Sequence, residues 1–340
     1  MGKESLLARL VNLSGVSSDE GDVREFIIKE VKKYTKNLRV DKMGNLIVVK
    51  KGKKPAIMFM AHMDEIGMMV SSINKNGRVS ISPIGGIDPF ILIGQKVHIK
   101  TRSKKKIGGI ITTTEVLDSA DMKKDLIMDD LFIYTGLTKS ELIKSGIAVG
   151  DYVHFTESSD FCHLGNKSII GGKALDDRIG CYILLELIRT VKSSHELIFV
   201  FTVQEEVGLY GAETSVFNLD PDYAIAVDVV PHNGFDESVL LRKGPVLTVK
   251  DAEMIANKSL VEGIENAAKK AKVKLQLEVS ESGTTDATSV FVAKGGIPSA
   301  VFGVAVGNIH TAVSVASKED IEDGIKVLSS FIKNLPKHHK

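Results

Sequence analysis

The chain has 340 residues, 43% of them hydrophobic and 26% charged, and its formal net charge at pH 7 is +1. These values are typical of a globular protein with a sizeable core and two domains. The near-neutral charge argues against a general nucleic-acid or membrane-surface binder. We expect no membrane span and no signal peptide. With only Cys162 and Cys181 there is no disulfide framework, so the sequence predicts a cytoplasmic protein.

Apolar periodicity near the N-terminus predicts two helices, a hairpin and a buried strand. In chain order these are a helix over 5–13, a helix after a cap at 17–20, strands 38–41 and 46–49, and the strand Ala56–Ala61. The last of these strands runs directly into His62 and Asp64, so it carries two polar side chains to its carboxyl end.

The pattern changes between residues 69 and 161, where short alternating strands are separated by turns. This predicts a β-barrel-like module inserted into an α/β domain, with one helix that begins at Thr138. The run Lys104–Lys106 is predicted to be a solvated hairpin tip, because it lacks the interleaved aromatic residues of a nucleic-acid site. His98 and His154 are predicted to be surface or interface residues, not metal ligands.

The α/β pattern returns at Ile169 and continues to the C-terminus. Predicted helices follow Gly171–Gly180, span 258–272, follow 282–287 and span 318–335; predicted strands are Leu197–Val203, Tyr223–Val227, 273–279 and Ser299–Val304. The basic tail that ends at Lys340 is expected to fray.

Four of the predicted apolar strands lead to side chains that can bind metals. These are His62 and Asp64 after Ala56–Ala61, Glu205 and Glu206 after Leu197–Val203, Asp228 after Tyr223–Val227, and His310 shortly after Ser299–Val304. By itself a Glu-Glu pair after a strand is more typical of a solvated loop. In open α/β sheets, however, ligands bind outside the carboxyl ends of the strands. Adjacent carboxylates there also need compensation by water, bases or metal. The recurrence at four strands indicates a metal site.

Asp176 and Asp177 lie at the start of the helix into which the segment Gly171–Gly180 leads. The local residues support two interpretations of this pair equally. Aspartate is a good N-terminal cap and suits the positive end of the helix dipole. A pair of aspartates followed by Arg178 also suits a carboxylate that bridges two cations.

Five motifs in this order resemble those of the TET-type dinuclear metallo-aminopeptidases, a family that includes glutamyl and deblocking aminopeptidases and members labelled endoglucanase or cellulase M. The motifs are His62-x-Asp64, Ala174–Arg178, Gln204–Gly208, Ala226–Asp228 and Ile309-His310, and the similarity covers nearly the whole chain. The resemblance implies an α/β fold: a zinc-peptidase-like α/β/α sandwich with an inserted PDZ-like β-barrel. It assigns 1–68 and 162–340 to the catalytic domain and 69–161 to the barrel, which would mediate dimerisation and assembly into a tetrahedral dodecamer.

The resemblance also implies a role for each motif residue. His62 and Asp228 would ligate one divalent ion, Glu206 and His310 the other, and Asp176 would bridge both; the ions would be zinc or cobalt. Glu205 would be the general base, and Asp64 would fix the tautomer of His62. The Asp176–Asp177 peptide bond is often cis in this superfamily.

These residue types suit hydrolysis by two metal ions, which share a water molecule and lower its pKa. We therefore expect an aminopeptidase that removes N-terminal residues from peptides. The alternatives are a metal-dependent deacylase of another amide, a glycan hydrolase and a non-catalytic assembly protein. The chain has no Trp, which disfavours sugar binding. Because Glu205 and every expected ligand are present, an assembly protein is disfavoured as well.

One departure from the family pattern concerns substrate choice. Relatives commonly carry Arg-Tyr just before the last histidine, whereas this chain has Gly307-Asn308. The change removes a charge that could bind a carboxylate side chain of the substrate. No acidic residue in this motif replaces it. The sequence therefore predicts a pocket for neutral, small or aliphatic residues.

Overall fold

The structure is a computed structural model that describes residues 5–113, 126–156, 159–165, 167–232 and 238–335. Its helices are α1 Leu6–Val11, α2 Gly21–Val31, α3 Lys139–Ser145, α4 Leu175–Thr190, α5 Tyr210–Val216, α6 Lys258–Ala271, α7 Asp286–Phe291 and α8 Lys318–Lys333. None of the helices in these ranges has the length and apolar character needed to cross a membrane.

The strands form one large sheet and one barrel. They are β1 Leu38–Val40, β2 Leu46–Lys50, β3 Lys53–His62, β4 Gly67–Ile73, β5 Val79–Ile84, β6 Lys96–Lys100, β7 Lys106–Thr113, β8 Leu131–Tyr134, β9 Tyr152–Phe155, β10 Cys162–Leu164, β11 Ile169–Gly172, β12 His195–Thr202, β13 Tyr223–Pro231, β14 Val246–Lys250, β15 Gln276–Val279, β16 Ser299–Gly307 and β17 Ser314–Ser317.

The large sheet has the order β1-β2-β12-β3-β13-β16-β17-β11-β10, with β14 paired to β16 and β15 paired to β14. Its four central strands, β12, β3, β13 and β16, run parallel to one another. They are buried over nearly their whole length, as expected where helices cover both faces. Helix α4 packs on β3 and β13 together with α1, α2 and α8, while α5 and α7 cover the opposite face. The predicted α/β/α sandwich is confirmed.

The predicted β-barrel is also present. Six antiparallel strands close in the order β4-β5-β8-β7-β6-β9 around a core of their own, which includes Met68, Ile111 and Ile133. Helix α3 begins with a capping box in which Thr138 and Glu141 bond to each other's backbone N–H, so the sequence signal for this helix is confirmed. The run Lys104–Lys106 lies exposed at the β6–β7 turn, as predicted.

His98 and His154 were predicted to lie at the surface or at an interface, and of these two alternatives the surface one is wrong. Their residues are 7% and 1% exposed, and the two rings stack with centroids 5.2 Å apart. The Nε2 atom of His154 lies 3.2 Å from Asp19 Oδ2, and Lys100 Nζ donates to the same carboxylate at 2.7 Å. Residues before α2 therefore cover this face of the barrel. Alternation along a strand shows which side chains share a face, but not what covers that face.

Smaller differences concern where elements begin and end. Helix α2 begins at Gly21 after Glu20, which makes no side-chain capping bond. The hydroxyl of Ser17, predicted to belong to the cap, instead donates to Asp64 Oδ2 at 2.6 Å. The tail that was expected to fray lies outside the described residues from 336 onward.

Candidate metal centre

The carboxyl ends of the central parallel strands bring the predicted site residues to one cavity of about 730 Å³. Its lining includes six of them: His62, Asp176, Glu205, Glu206, Asp228 and His310. The seventh, Asp64, lies directly behind this wall. Strand order explains the convergence of the residues at the strand ends, because β12, β3, β13 and β16 are adjacent and point the same way. Asp176 joins them from the start of α4.

The carboxylate of Asp176 lies between the two imidazoles. Its Oδ1 is 2.9 Å from His62 Nε2, and its Oδ2 is 3.4 Å from His310 Nε2. Asp228 Oδ1 lies 3.8 Å from His62 Nε2, and Glu206 Oε2 lies 3.4 Å from His310 Nε2. Two half-sites, one with His62 and Asp228 and one with His310 and Glu206, thus share one carboxylate.

The orientation of the His62 ring depends on the hydrogen bond that its Nδ1 atom makes. His62 Nδ1 lies 3.2 Å from the backbone carbonyl oxygen of Asp64 and 3.6 Å from its carboxylate Oδ1. Only the shorter of these contacts is a hydrogen bond. Nδ1–H donates to the carbonyl, and Nε2 faces Asp176 and Asp228. Despite burial, the hydrogen bond to Asp176 raises the pKa of His62 well above its usual range, so a metal ion at this place would replace the proton on Nε2. The Asp64 carboxylate, to which the family resemblance gives the orienting role, lies farther from Nδ1 than the carbonyl oxygen does.

The Asp64 carboxylate holds the turn after β12. It is fully buried, and it accepts hydrogen bonds from the backbone N–H groups of Glu205 at 3.2 Å and Glu206 at 3.3 Å. The hydroxyl of Ser17 donates to it as well. Since these bonds fix the backbone of both glutamates, Asp64 positions their side chains in the cavity.

Several carboxylates are buried together in the cavity, and burial raises the pKa of most of them. Burial, followed by the charge of Asp176, raises the pKa of Glu206 to about 8. Burial raises the pKa of Asp228 to about 6, although the nearby His62 lowers it. Burial also raises the pKa of Glu205 well above its usual range. A hydrogen bond to Asp176 raises the pKa of His310 to about 9 despite burial. Asp176 differs, because hydrogen bonds with His310 and His62 lower its pKa despite burial. Bound cations would favour the ionised form of the other carboxylates.

The donor set fits divalent metal ions. Ligand atoms of His62, Asp176 and Glu206 lie within 4.8 Å of one another, and so do those of His62, Asp177 and Asp228. Imidazole nitrogen and carboxylate oxygen are the ligands that zinc and related first-row metals accept. The shared carboxylate offers one oxygen to each half-site.

Asp177 was not predicted to be a ligand, although it lies in the second of these groups. Its Oδ1 accepts the Gly180 N–H at 2.8 Å, and its Oδ2 accepts the His62 N–H at 3.3 Å. The carboxylate thus ties the start of α4 to the end of β3. The Asp176–Asp177 peptide bond is cis, as the family resemblance implied.

A buried ion network behind the site was missed by the sequence reasoning. Arg178 is fully buried and donates to the carbonyl oxygens of Met63 at 3.0 Å and Leu10 at 2.7 Å. Its Nη2 lies 3.4 Å from Glu65 Oε1, and Lys173 Nζ lies 2.8 Å from Glu65 Oε2. Glu65 directly follows Asp64 in the chain, which was the only available signal. The network joins α1, the end of β3 and the start of α4.

The inserted barrel also reaches the site, through Gly85 and Gly86 after β5. A Cβ atom at Gly85, where φ is +83°, would lie 3.1 Å from Glu206 Oε2. A Cβ atom at Gly86 would lie 3.1 Å from His310 Nδ1. The sequence showed these glycines only as a turn. Their lack of side chains leaves room for one half-site.

The cavity extends from the cluster to β14 and β15, where Asp251, Glu278 and Glu281 line it. Sequence reasoning missed these three carboxylates, because they lie far from the recognised motifs. Gly307 and Asn308 are absent from the cavity lining within the described residues. The cavity lining therefore gives no support to the expectation that this pair shapes the substrate pocket.

Comparison with solved structures shows that the chain has the fold of a class of peptidases. A solved TET aminopeptidase from a marine-sediment Thaumarchaeota archaeon matches with a TM-score of 0.91 at 33% identity, over 97% of this chain and 96% of that chain. A structure described as the Pyrococcus horikoshii TET1 peptidase, which can assemble into a tetrahedron or a large octahedral shell, matches with a TM-score of 0.88 at 31% identity. That match covers 97% of this chain and 98% of the other.

Sequence comparison gives the family. The glutamyl aminopeptidase of Lactococcus lactis is 32% identical over 342 residues, which is 96% of this chain and 94% of that protein. The family model described as M42 glutamyl aminopeptidase matches residues 44–327. The chain belongs to the M42 glutamyl aminopeptidase family.

Proposed function

We propose that the protein is a dinuclear metallo-aminopeptidase that removes N-terminal residues from peptides. The observation that carries the proposal is the Asp176 carboxylate, whose two oxygens face His62 and His310 at 2.9 and 3.4 Å. In this proposal His62 and Asp228 hold one ion, Glu206 and His310 hold the other, and Asp176 is shared. Two divalent ions, when bound, would polarise the substrate carbonyl and lower the pKa of a shared water.

The remaining steps of the proposed hydrolysis are carried out by the protein's own side chains. Glu205 lines the cavity and is not one of the ligands in this proposal. Its carboxylate accepts a proton from the attacking water and passes it to the leaving amine. Asp64 acts through the backbone, since it holds the turn that carries Glu205. The backbone carbonyl of Asp64 orients His62 so that Nε2 faces the metal site.

A deacylase of another amide substrate is the alternative that this geometry also accommodates. The two functions differ in whether the substrate needs a free α-amine. Release of p-nitroaniline from leucyl p-nitroanilide and from its N-acetyl derivative, with and without a chelator, separates them. Chelator-sensitive release from the free amine alone supports the aminopeptidase, and faster release from the acetylated compound contradicts it. Hydrolysis of a soluble cellulose derivative would favour the glycan hydrolase.

We predict that each chain binds two divalent ions at saturation, and that Asp176→Asn lowers the number bound. The substitution removes the charge that both half-sites share. Elemental analysis after dialysis against zinc or cobalt measures the stoichiometry. Asp220→Asn is the control, because the Asp220 side chain is 88% exposed. Retention of both ions by Asp176→Asn would contradict the shared-ligand assignment, and a single ion in the wild-type protein would contradict the dinuclear site.

We propose that residues 69–161 mediate dimerisation and that the dimers build a tetrahedral dodecamer. The barrel exposes large apolar side chains, among them Phe90 at 63%, Tyr134 at 61% and Ile110 at 47%. Ile110 and Tyr134 lie opposite each other on β7 and β8, so they form one apolar patch. Closed symmetric assemblies are the usual form of homo-oligomers.

Light scattering is expected to show an assembly well above the monomer mass at micromolar concentration. The double substitution Ile110→Lys with Tyr134→Lys is expected to lower that mass, because it places charge in the patch. Phe217→Ser, at an apolar residue outside the barrel that is 78% exposed, is the control. A wild-type monomer, or equal dissociation of both variants, would contradict an interface formed by the barrel.

A further inference from the structure

We propose that Asp251 and Glu278 form an anionic subsite at the far end of the cavity, and that this subsite binds the cationic side chain of an N-terminal lysine or arginine. The inference rests on the proposed aminopeptidase function, for which it names the substrate class. It replaces the expectation of a neutral pocket, which depended on Gly307-Asn308.

The sheet register places the subsite on the same face as the metal centre. Ala226 pairs with Val301, Val301 with Thr248, and Thr248 with Glu278, so these residues form one row across β13, β16, β14 and β15. Asp228 lies two residues beyond Ala226 and therefore on the same face. Thr248 is then about 10 Å from β13 across two strand spacings, and Asp228 is about 7 Å further along its strand.

Asp251 supplies an unpartnered acceptor. The residue is 5% exposed and lines the cavity. Its Oδ1 accepts the backbone N–H groups of Glu253 at 2.9 Å and Met254 at 2.6 Å, which fix the side chain. Its Oδ2 is buried without a hydrogen-bond partner. Leaving a buried acceptor unsatisfied is costly, so a donor brought by the substrate would gain binding energy here.

Glu278 adds a second negative charge near the first. Its Oε2 accepts the Thr248 hydroxyl at 2.5 Å, which orients the carboxylate toward β14. Burial raises the pKa of Glu278, and the charge of Asp251 raises it further against the effect of that hydrogen bond. The two carboxylates therefore repel each other, and a cation between them would relieve the repulsion.

The nearby Lys250 does not fill this role. Its Nζ lies 3.1 Å from Glu281 Oε1, and the Glu281 side chain is 88% exposed. It also donates to the carbonyl oxygen of Ser280. Asp251 and Glu278 thus keep their charge available to a ligand, while Glu281 is neutralised at the rim.

A long basic side chain matches the path between the two sites. With the substrate α-amine at the metal centre, the side chain crosses apolar lining that includes Val230 and Val301 before it meets the carboxylates. Lysine and arginine combine such an apolar stem with a cationic end. A glutamyl side chain would meet two like charges, and a leucyl side chain would leave Asp251 unpaired.

The test compares kcat/KM for lysyl, leucyl and glutamyl p-nitroanilides. The metal-loaded wild-type protein is expected to prefer the lysyl substrate. Asp251→Asn combined with Glu278→Gln is expected to lower its kcat/KM by about 10- to 100-fold, mainly through KM, because charge-assisted hydrogen bonds are lost. The leucyl value should change less than about twofold, which also shows that the variant is folded. Glu213→Gln, at an exposed residue of α5 outside the cavity lining, is the control and should leave both values unchanged.

A wild-type preference for glutamyl or leucyl substrate, or an equal loss on lysyl and leucyl substrates in the double variant, overturns the subsite. Calorimetric binding of lysinamide and leucinamide to the metal-loaded protein tests it without turnover. Lysinamide binding that does not depend on the two carboxylates also overturns it. Carboxylate-dependent lysinamide binding without hydrolysis of any anilide supports the subsite and contradicts the aminopeptidase function, so the two failures can be told apart.

Discussion

Glu205→Gln is expected to lower kcat by about 10²-fold or more while the fold and the bound metal are retained. Glutamine has nearly the size and shape of glutamate but cannot accept a proton from water at neutral pH. The backbone of residue 205 is held by Asp64, so the new side chain should occupy the same place. Because Glu205 is not a ligand in the proposed site, the number of bound ions should not change.

Steady-state kinetics on leucyl p-nitroanilide, with elemental analysis of the same preparation, measures both parts of this expectation. Glu213→Gln on α5 is a matched control, since Glu213 is exposed on the helix that follows the same turn. A fully metal-loaded Glu205→Gln protein with near-normal kcat would remove Glu205 from the role of general base. Loss of both activity and metal would instead make it a ligand.

Arg178→Met is expected to lower the free energy of unfolding by about 3–5 kcal/mol. The substitution introduces an apolar side chain of similar length, but it leaves Glu65 with one of its two cationic partners. It also leaves the carbonyl oxygens of Leu10 and Met63 without their buried donor. Because the network joins α1 to the ends that carry His62 and Asp176, metal affinity should fall as well.

Denaturant unfolding at fixed protein concentration measures the change in stability. Arg102→Met is the matched control, because Arg102 is exposed at the β6–β7 turn. Substitutions at exposed positions usually change the free energy of unfolding by less than about 0.5 kcal/mol. Equal destabilisation by both substitutions would show that the buried network has no special weight in the fold.

Much of the fold could be predicted from the sequence, because each element carries its own local signal. The central strands are continuous apolar runs, as burial on both faces requires, and helix α3 begins with a capping box. The change to short alternating strands after Gly67 predicted the barrel that the structure contains. These patterns depend on residues close together in the chain, so they are readable without any tertiary contact.

The candidate site was predictable for a related reason. Parallel strands end at one edge of a sheet. Polar residues at or just after those strand ends, among them His62 and His310, therefore converge whatever the details of packing. Their separate roles as ligands and base remain proposals. The family resemblance and the strand ends together predicted the site residues. The structure brings these residues to one cavity.

Individual contacts depended on tertiary structure. The sequence could not show that the carbonyl of Asp64 lies closer to His62 Nδ1 than its carboxylate does, since this depends on distances of a few tenths of an ångström. It also could not show that residues before α2 bury His98 and His154.

By itself, the sequence determined the α/β class, the inserted barrel and the set of side chains at the strand ends, because period and strand direction encode these features locally. Only the tertiary structure decided what else reaches the cavity. Gly85 comes from the barrel, while Asp251 and Glu278 arrive through the pairing of β14 with β16 and of β15 with β14. Such neighbours are set by register between strands that are distant in the chain, and no local pattern of residues carries that information.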